Sequence, residues 1–333
     1  MKKIAIIVLN WNGKQFLREC LDSLINQTYI DRAIYLVDNG SKDGSVEWVA
    51  ENYPEVNLIP LPQNLGFAGG MNEGIKRTTE EFVALVNNDT KALVNWLEEL
   101  YNGMLSDPQI GICASKMLFY YSPDIINAVG DGYWCDGVSY NRGYKEKDLG
   151  QYDKSEYVFG ACAGAALYRR SMLEKIGLFD EDYFESYEDA DISFRAQLMG
   201  YKCLYVNLAI IYHLVGATVG GFPQEHFRNS IRNRYFTLIK NMPVALLVRY
   251  LPHLFFGEII NTTLFLLLKG WVGRKAYFKA HWDLFKSWHQ LLIKRKSIQG
   301  QRKVANEYIK SIVASKGWKD YLSIIRGIRR TKS

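Results

Sequence analysis

The sequence lacks most of the short signatures that would assign it at once. Its five cysteines (Cys20, Cys113, Cys135, Cys162 and Cys203) are odd in number and far apart, with no CxxC pair. That pattern argues against a disulfide framework, fits a reducing compartment and gives no support for a zinc site. No GxGxxG fingerprint and no P-loop Gly-Lys-Ser/Thr occurs, so the usual marks of dinucleotide enzymes and P-loop NTPases are missing. Nor is there an apolar run of roughly 18 residues that would mark a membrane span. The most apolar stretch, Val244–Leu268, is interrupted by Arg249, Pro252, His253, Glu258 and Asn261. The opening MKKIAIIVLNWNG has too short an apolar run and no small-residue cleavage site for a signal peptide, and is expected to be a first strand.

What is present is a division of charge. Phe222–Ser333 carries 22 Lys/Arg against 5 Asp/Glu, whereas the first 221 residues carry 19 against 30. The overall +6 therefore hides an acidic body suited to a cation and a basic region suited to anions. The length of 333 residues allows one large α/β domain plus an appended part. The abrupt change of composition after Gly220-Gly221 sets the expected boundary: a domain over 1–221, with halves near 1–110 and 111–221, and a helical region over 222–333.

Through the first 110 residues strand and helix signals alternate. Ile4–Leu9, Ala33–Val37, Val56–Leu61 and Phe82–Val86 read as strands, apolar on both faces as in a covered parallel sheet. Helical spacing follows in Phe16–Ile25, around Val46–Asn52, from the glycine-rich Gly66–Gly70 and over Leu93–Leu105. Beyond 111 the pattern loosens, with a hairpin expected at GDGYWCDG, helices at Ser171–Ile176 and Tyr187–Met199, and a strand at Lys202–Tyr212. The expectation is a doubly wound, mostly parallel α/β sheet flanked by helices.

Three of those strands end in polar punctuation: Asn10-Trp11-Asn12-Gly13, Asp38-Asn39-Gly40-Ser41 and Asn87-Asn88-Asp89-Thr90. In such sheets ligands bind beyond the carboxyl ends of the strands. A carboxylate at Asp38 would suit a ribose or a base edge, while Asp43 and Ser45 suit a helix cap. Asp89 would either cap the next helix or hold a hard divalent cation, which needs only one or two carboxylates when substrate phosphates complete its shell. In QNLGFAGGMNEGI, Asn64, Gly66 and Asn72 surround a helix start, where the glycines serve either close packing or a diphosphate. In Phe179–Gly200 the acids crowd: Asp191 and Arg195 are spaced to pair on one helix face, leaving Asp189 of Glu188-Asp189 as a candidate general base. His213 stands alone after a strand.

Taken in order, IIVLNWNG, VDNGSKDGS, NLGFAGGMNEG, LVNNDT, GACAGAALYRRSMLEKIGLFDEDYF and YEDADISFRAQLMGY resemble the family 2 glycosyltransferases, and among them the rhamnosyltransferase-like members. The resemblance spans about residues 4–214 and implies a GT-A fold and an inverting, metal-dependent transfer of sugar from a nucleotide diphosphate. It implies that Asp38 binds the nucleoside, and that Asn10, Asn12, Asn64, Gly66, Asn72, Asn87 and Asn88 line the donor. It further implies that Asp89 and His213 ligate Mg²⁺ or Mn²⁺ and that Asp189 is the catalytic base. One departure stands out: the first Asp of the family's DxD is Asn87 here, which adds no charge to the cation site. dTDP-rhamnose is the donor the resemblance favours, with UDP-galactofuranose, UDP-glucose and UDP-N-acetylglucosamine open; a non-catalytic nucleotide-sugar-binding protein is the reading Asn87 leaves open.

The basic region interleaves aromatics with cations: Trp271, Arg274, Lys275, Tyr277, Phe278, Lys279, Trp282, Lys286 and Trp288. Amphipathic helices on an anionic membrane surface account for that mixture, and a helical cap or a homo-oligomer interface is the competing account. No nucleic-acid motif is present. The expected setting is therefore the cytoplasm, peripheral on the inner face of the cell membrane, with a polyprenyl-diphosphate-linked glycan as acceptor in cell-surface polysaccharide synthesis.

Overall fold

The computed structural model describes residues 2–214, 223–263, 266 and 270–315. They fall into two compact units, one drawn from Met1–Asp131 and Asn141–Gly220, the other from Gly132–Tyr140 and Gly221–Ser333. The boundary expected at Gly220-Gly221 lies outside the described residues.

The first unit opens with three alternating pairs. They are β1 (Ile4–Asn10) and α1 (Lys14–Ile25), β2 (Arg32–Asp38) and α2 (Ser45–Asn52), then β3 (Asn57–Pro60) and α3 (Gly66–Lys76). β4 (Phe82–Asn87) follows and turns directly into the short β5 (Thr90–Ala92), before α4 (Trp96–Leu105). β6 (Ile110–Phe119) and β7 (Ser122–Val129) form an antiparallel pair. β8 (Asp131–Tyr133) and β9 (Ser139–Asn141) make a separate two-stranded hairpin. The unit then closes with β10 (Glu156–Val158), β11 (Ala165–Arg169), α5 (Arg170–Ile176), α6 (Glu188–Leu198) and the long β12 (Lys202–His213).

Ten strands make one sheet in the order β10-β12-β6-β11-β4-β1-β2-β3, with β5 added to β12 and β7 to β6. The run β4-β1-β2-β3 is parallel. β11 is inserted antiparallel between β4 and β6. Successive residues of β1 enter opposite cores: Ile4, Ile6 and Val8 pack with Leu17, Leu21, Trp96 and Leu100, whereas Ala5 and Ile7 pack with Met71, Ile75, Met172 and Ile192. Both faces being buried is why the strand reads as an unbroken apolar run. α3 lies close on β1: a Cβ at Gly74 would come within 2.7 Å of Ile7, and one at Gly70 within 2.5 Å of Leu9. Gly70 and Gly74 thus serve helix–strand packing.

The second unit is helical: α7 (Pro223–Asn241), α8 (Val244–Arg249), α9 (Leu251–Thr263), α10 (Gly270–Gln301) and α11 (Asn306–Ile312). The hairpin tip Gly132–Tyr140 groups with these helices, not with the sheet. Arg234 Nε donates to the Asp136 carbonyl at 3.0 Å, and the Cys135 N–H donates to the Ala314 carbonyl at 2.9 Å. α7 and α10 pack along each other. Arg295 and Gln299 of α10 donate to Met242 O (2.8 Å) and Asn241 O (2.7 Å), satisfying carbonyls left over at the end of α7.

Candidate functional site

Parallel register puts Asn10 opposite Asp38 and Leu9 opposite Asn87, so the three polar strand ends stand at one level of the sheet edge. Asn10 is the hub. Its Nδ2 donates to Asp38 Oδ2 at 2.9 Å and its Oδ1 accepts from Asn88 Nδ2 at 2.7 Å. Asp38 Oδ1 accepts the Ser41 N–H at 2.8 Å. Asp38 is 2% exposed, and these two bonds leave lone pairs of its carboxylate for a ligand hydroxyl or amide. A Cβ on Gly13 would sit 2.0 Å from Asn88 Nδ2 and 2.9 Å from Asn10 Oδ1, so a side chain there would displace this network. Asp43 accepts the N–H groups of Lys14 (2.9 Å) and Ser45 (3.1 Å), joining the first turns of α1 and α2 as a cap would.

Asp89 lies in the turn between β4 and β5, and β5 pairs with β12 so that Thr90 faces His213. His213 Nδ1 is 3.0 Å from Asn127 Oδ1, which can only accept, so Nδ1 carries the proton. In the neutral ring Nε2 then presents a lone pair. It faces Asp89 Oδ1 at 3.3 Å, and that buried oxygen has no hydrogen-bond donor among the described residues. An unpaired buried acceptor costs about 1–3 kcal/mol or more, and a carboxylate oxygen facing an imidazole nitrogen is a pair of ligand types that a shared divalent cation could take. Asn127 fixes the ring as outer-shell partners of metal-bound histidines do. No cluster of three or more His, Cys, Asp or Glu occurs among the described residues. A cation at Asp89 and His213 would therefore take its remaining ligands from water or from phosphate oxygens.

Glu188 and Asp189 begin α6, and the two residues before them are both left-handed, Ser186 at φ 68° and Tyr187 at φ 70°. Such backbone costs about 1–3 kcal/mol per residue and is concentrated at functional sites. Asp189 Oδ1 accepts the Ala190 N–H at 2.7 Å. Burial pushes its pKa from 3.8 up to about 6, against the pull of backbone donors from Ala190 and Ala163. Asp131 and Glu188 are driven well above the usual carboxylate range, first by burial and then by the charge of Asp189. Asp131 keeps one partner, Asn141 Nδ2 at 2.9 Å. Three carboxyls thus share one protonation problem, and Asp189, with backbone donors on its charged form, is held nearest the ordinary range.

Gly164 connects the two halves of the site. Its carbonyl accepts the Asn87 N–H at 2.9 Å, and a Cβ on it would approach Asn87 Nδ2 to 2.9 Å. The neighbouring Ala163 donates to Asp189. One short segment therefore touches the tip of β4 and the candidate base.

Not every residue expected to line the donor presents its side chain. Asn72 donates to Phe179 O (2.8 Å) and accepts the Phe179 N–H (3.0 Å), tying α3 to the segment before α6. Asn64 Oδ1 accepts from Asn39 (3.0 Å) and from the Gly66 N–H (2.8 Å). Gly66 has φ +74° and passes against the Phe184 carbonyl, where a Cβ would come within 2.4 Å. Asn12, at φ 50°, accepts the Lys42 N–H at 2.8 Å and so braces the loops after β1 and β2. Asp191 is consumed by Arg195 at 2.8 Å, the spacing expected for a pair. Sequence reasoning missed Asn39, Asn127, Asp131 and Gly164. Two of them carried a local signal: Asn39, within the polar strand end Asp38-Asn39-Gly40-Ser41, and Asp131, inside the glycine pair of GDG.

With this geometry in place, relatives are informative. A family model described as Glycosyl transferase family 2 matches residues 5–177. The N-acetylglucosaminyl-diphospho-decaprenol L-rhamnosyltransferase of Mycobacterium tuberculosis is 25% identical over 263 residues, covering 71% of this chain and 83% of that protein. The poly-beta-1,6-N-acetyl-D-glucosamine synthase of Staphylococcus epidermidis is 22% identical over 231 residues, covering 68% and 53%. Among solved structures, GalNAc-T7 with UDP, GalNAc and Mn²⁺ superposes with a TM-score of 0.61 at 14% identity, over 88% of this chain and 57% of that one. S. aureus TarS gives 0.58 at 15% identity, over 89% and 54%. The chain thus spans little more than half of those two structures, and the likeness to them establishes the GT-A fold alone. On the match to the family model, the chain belongs to glycosyl transferase family 2.

Proposed function

We infer that the protein transfers a sugar from a nucleoside-diphosphate donor to a hydroxyl of a glycan acceptor, by one displacement with inversion. The observation that carries this reading is the pairing of two unlike sites at one sheet edge. The Asp38–Asn10–Asn88 network with Asp89 and His213 suits a nucleotide and a cation, and Asp189, held at about 6, suits a base working near neutral pH.

In the proposed reaction Asp38 accepts from the nucleoside and Asn10 holds that carboxylate in place. Asp89 and His213 would hold a Mg²⁺ or Mn²⁺ ion, which when bound stabilises charge on the departing diphosphate. Asp189 takes the proton from the acceptor hydroxyl as its oxygen attacks the anomeric carbon. The bond to the diphosphate oxygen breaks on the opposite face and its electron pair leaves with the nucleoside diphosphate. No carboxylate nucleophile takes part. Asn87 adds no charge to the cation site, so cation affinity depends on the donor phosphates.

The name of the mycobacterial relative favours a rhamnosyl donor and a polyprenyl-diphosphate-linked acceptor; dTDP-rhamnose and cell-surface polysaccharide synthesis complete the proposal. The relative named for N-acetylglucosamine polymerisation supports a UDP-sugar as the second reading. The test is turnover of a panel of nucleotide sugars on a lipid-linked glycan, with the product anomer read by NMR. Consumption of one donor with inverted configuration is the result expected. Retained configuration, or no transfer from any donor despite tight binding, would overturn the reading.

A further inference from the structure

α10 is built inside out. Its buried residues are Gly273, Ala276, Ala280 and Leu291, so small side chains let it lie closely along α7. Its large side chains face away: Trp271 is 68% exposed, Phe278 65%, Trp282 57% and Phe285 72%. These four, continued by the exposed Leu292, are spaced by seven, four, three and seven residues, which places them on one stripe of a helix. A helix face turned to water is ordinarily polar; this one carries the aromatics that a core would use.

Two cations of the helix flank that stripe. Lys275 Nζ lies 5.3 Å from the ring centre of Trp271 and Lys286 Nζ 5.3 Å from that of Trp282. Trp282 and Phe285 stack at 5.9 Å between centroids. Over its 32 residues α10 has seven Lys/Arg and a single acid, Asp283, and that acid is bonded to Arg228 of α7. α9 adds further exposed apolar residues, Phe255 at 66% and Ile259 at 47%.

We propose that the outward face of α10 docks on an anionic lipid surface. The aromatic rings enter the headgroup boundary, and Lys275 and Lys286 meet lipid phosphates at its edge. Charge decides the occupant. A second copy of the chain laid on the same stripe would set lysine against lysine, and the one acid of α10, Asp283, is already bonded to Arg228, whereas a bilayer rich in anionic headgroups answers those lysines. The helix lies on the membrane and does not cross it, since no described helix is long and apolar enough to span one. At about 1.5 Å per residue the stripe from Trp271 to Leu292 would cover roughly 30 Å of surface. This inference rests on the helical unit alone and stands or falls apart from the transferase reading.

The experiment is flotation of the full chain with phosphatidylcholine vesicles, with and without about 30 mol% phosphatidylglycerol. Three proteins are compared: the wild type, the triple variant Phe278→Ser/Trp282→Ser/Phe285→Ser, and the double variant Lys275→Glu/Lys286→Glu. The wild type should float with anionic vesicles, with a blue shift of tryptophan emission, and each variant should lose about tenfold in partition. All three should share one circular dichroism spectrum, because the altered side chains are exposed. Equal flotation of the variants, or no binding by the wild type to either vesicle, would overturn the proposal. So would a concentration-dependent dimer that the triple variant abolishes.

Discussion

The two units bury opposite things. In the sheet unit Trp96, Phe82 and Tyr168 are fully enclosed and the surface is acidic in composition; in the helical unit Ala276 and Ala280 are enclosed while Trp271, Phe278, Trp282 and Phe285 are left outside. The first arrangement makes a rigid edge on which polar strand tips can be positioned. The second leaves aromatic area exposed, the area proposed above to dock on a lipid surface. The two proposals thereby place chemistry and docking in different parts of one chain.

That contrast breaks most sharply at Asp189. Asp189→Asn should lower kcat by about 10²–10⁴-fold with donor affinity within twofold of the wild type, whereas the triple serine variant of α10 should leave kcat on a water-soluble acceptor unchanged. Loss of donor affinity as large as the loss of rate would deny Asp189 its role. Next in size, Asn127→Leu removes the oxygen that orients His213 and should weaken Mn²⁺ binding by about 10–100-fold, measured by manganese titration in the presence of nucleoside diphosphate. A third effect is on pH. The base must be ionised to act, and its pKa is raised, so kcat/KM should fall about tenfold per unit below about pH 6; a limb near pH 4 would mean that the ionisable base lies elsewhere.

The smallest effect sharpens the same comparison through stability. Glu188 takes up a proton more readily folded than unfolded, so its ionisation weighs against the fold as pH rises above about 4.5. Glu188→Gln should therefore melt about 2–4 °C above the wild type at pH 8, with the gap closing below pH 4.5. A gap of equal size at pH 4 would show that packing, not charge, is responsible.

The parallel half of the sheet was legible because both of its faces are covered, so β1, β2 and β4 read as apolar runs and stop at Asn10, Asp38 and Asn87. Their convergence was legible too, since parallel register carries polar ends to one edge. The insertion of β11 between β4 and β6 was not, because antiparallel pairing over that sequence distance leaves no local periodicity. For the same reason Asn127 on β7 and Gly164 before β11 gave no sign of reaching His213 and Asn87. Asn64 and Asn72 were expected on the donor by resemblance; the bonds of Asn64 Oδ1 to Asn39 and of Asn72 to Phe179 were not legible, because those partners are remote in sequence. In α10 the spacing of aromatics was plain, but which face the helix would bury was not: the glycines and alanines that decide it carry little hydrophobic weight.

The most direct test of the strand-tip site is calorimetric titration of the wild-type protein with dTDP- and UDP-sugars in Mn²⁺, repeated in EDTA. Binding of one nucleotide sugar that EDTA abolishes, and that Asp89→Ala also abolishes, is the outcome this account predicts. Binding of equal strength in EDTA, or no binding of any nucleotide sugar, would contradict it.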